Sequence, residues 1–282
     1  MISKVSQIAF RADVLRLKAS GHLPQFGWHD IARTWTTSST RWPTEKLAIP
    51  RADGDNFVAY DTPIGTLCWT KSLRQYAGLF ALDHMRGVYE RGAVRINAGD
   101  VVIDLGGQIG SFTRYAFSRG AETVVMFEPE PEHIRWVERC FAQEIEAGRL
   151  HLIRAAAWNE NTVLHFESNG VESRVSDSGG LEVQARTIDD VVESLKLKRV
   201  DFIKADIEGA ERVALEGARA TISGFAPKMA LCTYHLPDDP VVIPAIAQSI
   251  HPYRVAFNIG RAQAYFTPLP SKRSAASSGR LR

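Results

Sequence analysis

The sequence predicts an α/β protein whose main sheet is mostly parallel and covered by helices on both faces. Three observations support this prediction. Strand and helix patterns alternate after residue 95, as in parallel sheets with crossover helices. The apolar run at residues 101–104 is typical of a strand buried on both faces, and it passes directly into a glycine-rich turn. Two last extended segments, on either side of residues 258–261, indicate an antiparallel hairpin at one edge of the sheet.

The length and composition suit one large domain with an appendage. The 282 residues are 45% hydrophobic and 23% charged, which is enough apolar material for a core and excludes a largely disordered chain. The net charge is +2, and the last twelve residues hold four basic side chains and no acidic one. We therefore expect a disordered basic tail at residues 271–282 and no basic face for nucleic acid on the folded part.

The cysteines and the apolar runs predict a cytoplasmic protein without membrane insertion. Cys68, Cys140 and Cys232 lie far apart and have no spacing typical of zinc ligands, so this sparse, odd set of thiols points to a reducing compartment. The apolar runs near the amino end are too short for the central region of a signal peptide. No stretch of the length that a transmembrane helix needs is continuously apolar.

Residues 1–95 are predicted to form a cap on the domain that follows. Residues 3–20 indicate an amphipathic helix with apolar positions spaced by three and four, at Val5, Ile8, Ala12 and Leu15. Residues 22–55 show no regular pattern, whereas residues 57–60 and 66–69 are typical of a two-stranded hairpin. Four of the six tryptophans precede residue 70, and packing in a core or interface is favoured for them over lining a substrate pocket.

Residues 96–270 are predicted to form the main domain, with alternating strands and helices. We expect extended segments at residues 101–104, 123–127, 150–154, 162–166, 181–185, 200–205, 227–234, 253–257 and 263–266. We expect helices at residues 112–118, 131–146, 188–195, 208–222 and 241–250. In open parallel sheets, ligands bind at the carboxyl ends of the strands, so the candidate functional residues are sought there.

The turn after the first of these strands carries an acid and three glycines: Asp104, Gly106, Gly107 and Gly110. Glycines let backbone amides approach a ligand closely. The dinucleotide fingerprint G-x-G-x-x-G would need glycine where Leu105 stands, and the phosphate-binding G-x-x-x-x-G-K-[ST] is absent. An acid at this place opposes a pyrophosphate and suits a ligand that carries an amine. A purely structural turn remains the alternative.

A second acid, Glu128, follows the next strand, 18 positions after Gly110. An acid in this place can accept hydrogen bonds from ribose hydroxyls. An adenosine ligand without phosphates and with a positive centre is S-adenosylmethionine, so the two acids together predict this cofactor.

Two carboxylates and a histidine are expected at the ends of the fourth and fifth strands of the series. Asp206 and Glu208 follow one strand and His235 the other, so the three side chains should converge as candidate acid/base catalysts. A magnesium site is the alternative, although the imidazole of His235 does not suit that ion. Glu211 is expected simply to cap the next helix.

Four motifs between about residues 57 and 253 resemble those of the FkbM-type methyltransferases. They are Val102-Ile103-Asp104-Leu105-Gly106 with Gly110, Phe127-Glu128-Pro129, Thr187-Ile188-Asp189-Asp190 and, most specifically, Asp201-Phe202-Ile203-Lys204-Ala205-Asp206-Ile207-Glu208-Gly209-Ala210-Glu211. The resemblance implies a class I methyltransferase, Rossmann-like sheet that uses S-adenosylmethionine. It also implies that the acceptor is a hydroxyl of a sugar, glycolipid or secondary metabolite.

The proposed roles follow from an in-line displacement of the cofactor's methyl group. Asp104 and the glycine turn would hold the methionine end, and Glu128 the ribose. Asp206, Glu208 and His235 are the candidates for the base. Two other functions remain open at this point: an NAD-dependent oxidoreductase on a related sheet, and an adenosine-binding module without catalysis.

Overall fold

The computed structural model describes residues 4–33, 44–54, 57–168, 174–175, 179–258 and 262–270. Its amino-terminal region consists of short helices and a three-stranded antiparallel sheet. These elements are α1 (Lys4–Ala19), α2 (Trp28–Arg33), a 3-10 turn (Thr44–Leu47), β1 (Ile49–Gly54), β2 (Phe57–Thr62), β3 (Gly65–Thr70), a second 3-10 turn (Lys71–Leu73) and α3 (Arg74–Arg86). The sheet order is β1, β2, β3.

The remainder of the described chain alternates strands and helices. Its strands are β4 (Val101–Leu105), β5 (Thr123–Phe127), β6 (Leu150–Ile153), β7 (Ala156–Ala157), β8 (Thr162–Glu167), β9 (Arg174–Val175), β10 (Leu181–Arg186), β11 (Phe202–Ala205), β12 (Lys228–Cys232), β13 (Tyr253–Phe257) and β14 (Gln263–Pro268). Its helices are α4 (Ser111–Ser118), α5 (Pro131–Cys140), α6 (Ala142–Glu146), α7 (Ile188–Ser194), α8 (Glu211–Glu216), α9 (Arg219–Phe225) and α10 (Asp239–Ile250).

The central sheet has the spatial order β13, β14, β12, β11, β4, β5, β6. The strands from β12 to β6 are parallel, and Leu105 pairs with Ala205 on one side and Phe127 on the other. β14 is antiparallel to both β12 and β13. The prediction of a mostly parallel sheet with an antiparallel hairpin at one edge is therefore confirmed. Because parallel strands share a direction, the turns that follow β4, β5, β11 and β12 meet at one edge.

Helices cover both faces of this sheet. Successive side chains of a strand point to opposite sides, so neighbouring residues of β4 pack in different core clusters. Val102 of β4 packs with α3, α4, α5 and the amino-terminal sheet in one core cluster. The next residue, Ile103, packs with α7, α8, α9 and α10 in the second. The amino-terminal sheet thus shares a core with the main sheet, and the domain boundary placed at residue 95 stays a prediction.

The extended segments predicted at residues 162–166 and 181–185 form strands of a separate, smaller sheet. Its order is β7, β10, β8, β9, and β8 pairs with β10 antiparallel, with Thr162 opposite Ala185. The segment joining the hairpin strands β13 and β14 is only partly within the described residues, and the predicted tail at residues 271–282 lies outside them.

The helix predicted at the amino end is confirmed, but its predicted apolar face is only partly right: Ile8 and Ala12 are exposed, whereas Leu15 is partly buried. Ile8 is 62% exposed, while Phe10, Val14 and Leu17 are buried and pack in a third core cluster. These three side chains are also spaced by four and three, and the face with Phe10 buries a large aromatic ring. Residues 22–55 are less irregular than expected, since they include α2, the turn Thr44–Leu47 and β1.

Two predicted helices are each divided into two. The helix expected at residues 131–146 breaks at Phe141, whose backbone leaves the helical region. The helix expected at residues 208–222 begins only at Glu211 and breaks between α8 and α9. It begins late because Glu208 and Gly209 both have positive φ, of 51° and 98°, which no helix accommodates.

The tryptophans and cysteines follow the expectations in part. Trp69 is buried and stacks on Phe80 with ring centroids 5.6 Å apart, so core packing is confirmed for this residue. Trp28 is 64% exposed, which the core prediction does not fit, and Trp35 and Trp42 lie outside the described residues. All three cysteines are free thiols. Among the described residues, no helix has both the length and the apolar character needed to cross a membrane.

Candidate active site

A cavity of about 410 Å³ lies at the carboxyl edge of the central sheet. The turns after β4, β5, β11 and β12 all contribute to its wall, as expected for an open parallel sheet. Its polar wall includes Gly106, Gly107, Gln108, Glu128, Lys204, Asp206, Glu208 and Tyr234. A cavity of this size, with convergent charged groups, is a candidate active site.

The turn after β4 packs so closely against the turn after β11 that position 106 requires glycine. Gly106 has φ +77°, and a Cβ atom there would lie 2.2 Å from the carbonyl oxygen of Asp206. The backbone N–H groups of Gly106 and Gly107 both donate to the carbonyl of Phe127. Gln108 also has a positive φ, of 48°, which is uncommon for a residue with a side chain. The turn is therefore held between the neighbouring strands on both sides.

Glu128 lies in the cavity wall, where the sequence places it. Its side chain is buried, and its carboxylate accepts hydrogen bonds from the backbone N–H of Gln108 at 2.6 Å and of Glu130 at 2.9 Å. The Nδ1 atom of His133 lies 3.3 Å from the same carboxylate. These contacts fix the carboxylate at the cavity wall. Oε1 accepts from Glu130 and also faces His133, whereas Oε2 accepts from Gln108 and keeps a lone pair for a ligand.

Asp104 and Gly110, by contrast, do not line the cavity. Asp104 is fully buried; it accepts a hydrogen bond from the hydroxyl of Thr113 at 2.8 Å and lies 3.2 Å from the ammonium of Lys204. Gly110 precedes α4 with φ +80°, and a Cβ atom there would lie 2.4 Å from the ring of Phe141. The contribution of Asp104 and Gly110 to binding a cofactor amine therefore stays a prediction. Because Asp104 does not line the cavity, it would act on a ligand through its neighbours.

Lys204 is a cavity residue that sequence reasoning did not single out. Its ammonium group donates to the carbonyls of Leu105 and Gly106, at 3.0 and 2.8 Å. Burial alone would lower the pKa of Lys204, but the carboxylates of Asp104 and Asp206 raise it above its ordinary value. The side chain is therefore a permanent buried cation. Its direction into the cavity depends on which face of β11 it occupies, and the sequence alone does not show this.

Asp206 lies in the cavity wall with its carboxylate already engaged. It accepts hydrogen bonds from the hydroxyl of Tyr89 at 2.6 Å and from that of Tyr234 at 3.1 Å. Burial would raise the pKa of Asp206, but the ammonium of Lys204 and the hydroxyl of Tyr89 hold it below its ordinary value. Asp206 is consequently a stable carboxylate and a weak base.

His235 lies beside the two carboxylates predicted to converge with it, although it is not part of the cavity wall. Its Nε2 atom is 3.4 Å from Glu208 and 3.6 Å from Asp206, and its Nδ1 atom is 3.0 Å from Glu211. Burial would lower the pKa of His235, but Glu211, Asp206 and Glu208 raise it above its ordinary value. The imidazole is thus favoured in its charged form among three carboxylates.

Glu211 has a different role from the one expected. It is buried, and its carboxylate accepts hydrogen bonds from the backbone N–H groups of Ile207 and Gly209, both of which precede α8. The prediction that it simply caps the helix is wrong, because it holds the strained turn at Glu208 and also contacts His235.

Asp206, Glu211 and His235 each offer one metal-ligand atom within 4.8 Å of the others, in the part of the chain that the structure describes.

Helix α3, for which no element was predicted, forms another wall of the cavity. Tyr76, Phe80, Asp83 and His84 all line it from this helix. Burial lowers the pKa of His84 to about 3, so this imidazole is neutral, and its Nε2 atom lies 3.1 Å from the hydroxyl of Ser111. The sequence does hold a signal for this helix: small residues at 77 and 81 share one face, and a glycine at 87 ends it.

The comparison with protein families decides the identity. The model of the methyltransferase FkbM domain matches residues 104–254, which is more than half of the chain. The chain belongs to the FkbM methyltransferase family. The resemblance found in the sequence motifs is thereby confirmed, and the matched region contains the glycine turn, Glu128, Asp206, Glu208 and His235. No curated protein sequence matches the chain.

Solved methyltransferase structures are similar to this FkbM-family protein to different degrees. A crystal structure of the methyltransferase FkbM from Methylobacillus flagellatus matches with 23% identity and a TM-score of 0.50, covering 69% of this chain and 54% of that one. An rRNA methylase from Streptococcus thermophilus (10% identity, TM-score 0.40) covers 62% of this chain and 90% of that one. This chain thus spans about half the length of the Methylobacillus protein. The predicted class I methyltransferase, Rossmann-like fold is confirmed.

Proposed function

We propose that this protein transfers the methyl group of S-adenosylmethionine to a hydroxyl oxygen of a sugar, glycolipid or secondary metabolite. The observation that supports this most is the pairing of Glu128 with a neighbouring turn of glycines in one cavity wall. Membership of the FkbM methyltransferase family supports the reaction type. S-adenosylmethionine supplies an already activated methyl group, so the protein has to position the reactants and remove a proton.

The cavity wall fits this cofactor on one side. Glu128 would accept hydrogen bonds from the two ribose hydroxyls, because its carboxylate is fixed by the N–H groups of Gln108 and Glu130. Gly106 and Gly107 line the adjacent wall without side chains, which lets a ligand approach their backbone. Asp206 and Glu208 put negative charge in the wall, which suits a ligand with a positive centre better than a pyrophosphate.

Among the three candidates for the base, the geometry favours Glu208. Asp206 accepts two tyrosine hydroxyls and is a weak base, while His235 has a raised pKa and lies behind the wall. Glu208 lines the cavity and its side chain is 30% exposed. In this proposal Glu208 takes the proton of the acceptor hydroxyl, and the imidazole of His235 orients the carboxylate from 3.4 Å.

The remaining wall suits a ring-bearing acceptor. Tyr76, Phe80, Phe112 and Tyr89 line it from α3, α4 and the segment that follows α3. Aromatic faces pack against the apolar faces of sugars and other rings, and tyrosine hydroxyls add polar contacts. This wall supports the choice of a sugar or secondary metabolite as acceptor.

Two alternatives have specific tests. An NAD-dependent oxidoreductase is disfavoured, because Leu105 replaces the first glycine of the dinucleotide motif. Magnesium is the second alternative, although both oxygens of Glu211 already accept backbone N–H groups and His235 is a poor ligand for it. If magnesium activates the acceptor, a chelator abolishes turnover and added magnesium restores it; the base proposal expects full turnover in chelator.

The proposed function is tested by a screen of acceptors with isotopically labelled S-adenosylmethionine. Sugars, glycolipids and hydroxylated secondary metabolites are incubated with the protein, and the position of the label is found by mass spectrometry and NMR. The proposal expects the label on a hydroxyl oxygen. Label on nitrogen or carbon would contradict O-methylation, and consumption of NAD(H) without label transfer would contradict methyl transfer.

A further inference from the structure

A second cavity, outside the active site, is lined chiefly by arginines. It has a volume of about 300 Å³, and its charged lining residues are Arg16, Arg86, Glu90, Arg91, Arg95 and Arg119. We call it the arginine pocket. It lies next to the active site along the chain: Val88 and Tyr89 line the active-site cavity, whereas Gly87 and Glu90 line the arginine pocket.

Among the described residues that line the arginine pocket, the one acidic side chain, that of Glu90, is already bonded. Glu90 accepts a hydrogen bond from the backbone N–H of Ile96 at 2.9 Å and from the hydroxyl of Tyr115, also at 2.9 Å. Its distance to the Nε atom of Arg119 is 3.8 Å, which is long for an ion pair. Glu90 is therefore already engaged by two hydrogen-bond donors and neutralises the arginines only weakly.

Most of the guanidinium groups lack a close carboxylate. Arg86 pairs with Asp83 at 2.8 Å and with Asp13 at 3.2 Å. Arg16 lies 4.0 Å from Asp13. Arg91 and Arg95 are exposed and have no ion pair with any residue in the described ranges. The pocket consequently carries an excess of positive charge, and like charges that share one pocket repel each other.

The backbone that carries Arg91 and Arg95 is firmly held. Arg91 and Val94 form an isolated bridge with two hydrogen bonds of 2.8 and 3.0 Å. Val94 and Ile96 are each 1% exposed and anchor this segment in the core. The carbonyl of Arg95 accepts a hydrogen bond from the ammonium of Lys228 at 2.7 Å. A rigid loop lowers the entropic cost of binding a ligand.

We propose that the arginine pocket binds a ligand with two adjoining phosphate groups. The planar guanidinium group matches phosphate oxygens with two parallel hydrogen bonds. Arg86 is paired with Asp83 and Asp13, but the other four guanidinium groups still offer more donors than the oxygens of one phosphate can accept, so a diphosphate fits the set better. The phosphates belong either to a soluble small molecule or to a lipid head group, since both present the same oxygens to the pocket.

The test is a calorimetric titration of the full chain with inorganic pyrophosphate at low ionic strength. It compares the wild type, the double variant Arg91→Gln/Arg95→Gln and the control double variant Arg135→Gln/Arg254→Gln. The control removes the same charge from two exposed arginines elsewhere. Circular dichroism melting establishes that each variant is folded, which we expect because all four side chains are exposed.

We expect saturable binding to the wild type, affinity at least about tenfold weaker in the pocket variant, and affinity within about twofold of wild type in the control. Absence of saturable binding to the wild type, or an equal loss in the control, would overturn the proposal. Co-sedimentation with phosphatidylcholine vesicles that contain a polyprenyl diphosphate separates the two sources. Vesicle binding that the pocket variant loses assigns the phosphates to a lipid, and pyrophosphate binding without vesicle binding assigns them to a soluble ligand.

Discussion

The ammonium nitrogen of Lys204 lies 3.2 Å from a carboxylate oxygen of Asp104 on the neighbouring strand, and the two side chains are 5% and 0% exposed. Lys204 also donates to the carbonyls of Leu105 and Gly106. The ion pair therefore ties β11 to the start of the glycine turn. Because a buried charge without its counter-charge is costly, loss of either side chain alone should destabilise the wall of the cavity.

Replacing Lys204 should be strongly destabilising. We expect Lys204→Met to lower the free energy of unfolding by about 3–5 kcal/mol, because Asp104 is then a buried charge without a partner. The exposed control Lys198→Met should change it by less than about 0.5 kcal/mol. Adding Asp104→Asn to Lys204→Met should recover part of the loss. Denaturant unfolding measures the stability of the two single variants and of the double variant. If Lys204→Met is no less stable than Lys198→Met, the ion pair does not have this role.

Two glycines with positive φ provide a matched test of the turn. Gly99→Ala introduces backbone strain alone, about 1–2 kcal/mol, since nothing lies within 4 Å of the added Cβ. Gly106→Ala adds a clash, with its Cβ 2.2 Å from the carbonyl oxygen of Asp206, and should cost about 1–3 kcal/mol more. Thermal unfolding compares the two, and equal losses would mean that the close approach of the turns is unimportant.

His235 should make stability depend on pH in a definite direction. Its folded pKa is raised by Glu211, Asp206 and Glu208, with Tyr234 packed on the ring, so the charged imidazole stabilises the fold. That contribution is complete below the unfolded pKa of about 6.5 and is lost as the pH rises through the raised folded pKa. The stability deficit of His235→Gln should therefore be larger at about pH 6 than at about pH 9.

The control for this prediction is the exposed His165. His165→Gln should change the free energy of unfolding by less than about 0.5 kcal/mol, because its imidazole is exposed. Unfolding free energies at both pH values decide the matter. A His235→Gln deficit that grows towards high pH would mean that the neutral imidazole is the stabilising form.

Glu208→Gln should lower turnover without weakening the cofactor. Loss of a general base typically costs about 100- to 10,000-fold in kcat, while the cofactor Kd should stay within about twofold of wild type, because proton removal occurs only in the transition state. Glu132→Gln, an exposed glutamate on α5, serves as the control. An unchanged kcat in Glu208→Gln would mean that another group removes the proton of the acceptor.

The fold was largely predictable because buried strands and glycine turns leave strong local patterns. The run at residues 101–104 and the turn at Gly106 identify β4 and its role without any knowledge of the remainder. Helix α3 was not predicted, since aromatic residues and Gly78 interrupt its pattern. A Cβ at Gly78 would lie 1.8 Å from the carbonyl oxygen of Thr44, so that glycine reflects packing with a distant segment.

The candidate site was predictable in its positions and less so in its contacts. The convergence of Asp206, Glu208 and His235 follows from strand order alone. The burial of Asp104 behind Lys204 does not follow from strand order, because it depends on the face of the sheet to which each of the two side chains points. The tyrosines on Asp206 likewise come from segments far away in sequence, which no local pattern connects.

The use of S-adenosylmethionine is tested most directly by a calorimetric titration of the protein with this cofactor and with its demethylated product. The wild type should bind both, and Glu128→Ala should weaken both about 10- to 100-fold, because the variant lacks the acceptors for the ribose hydroxyls. The exposed control Glu132→Ala should bind like the wild type. Binding of NADH by the wild type, with no heat from either S-adenosyl compound, would contradict the account.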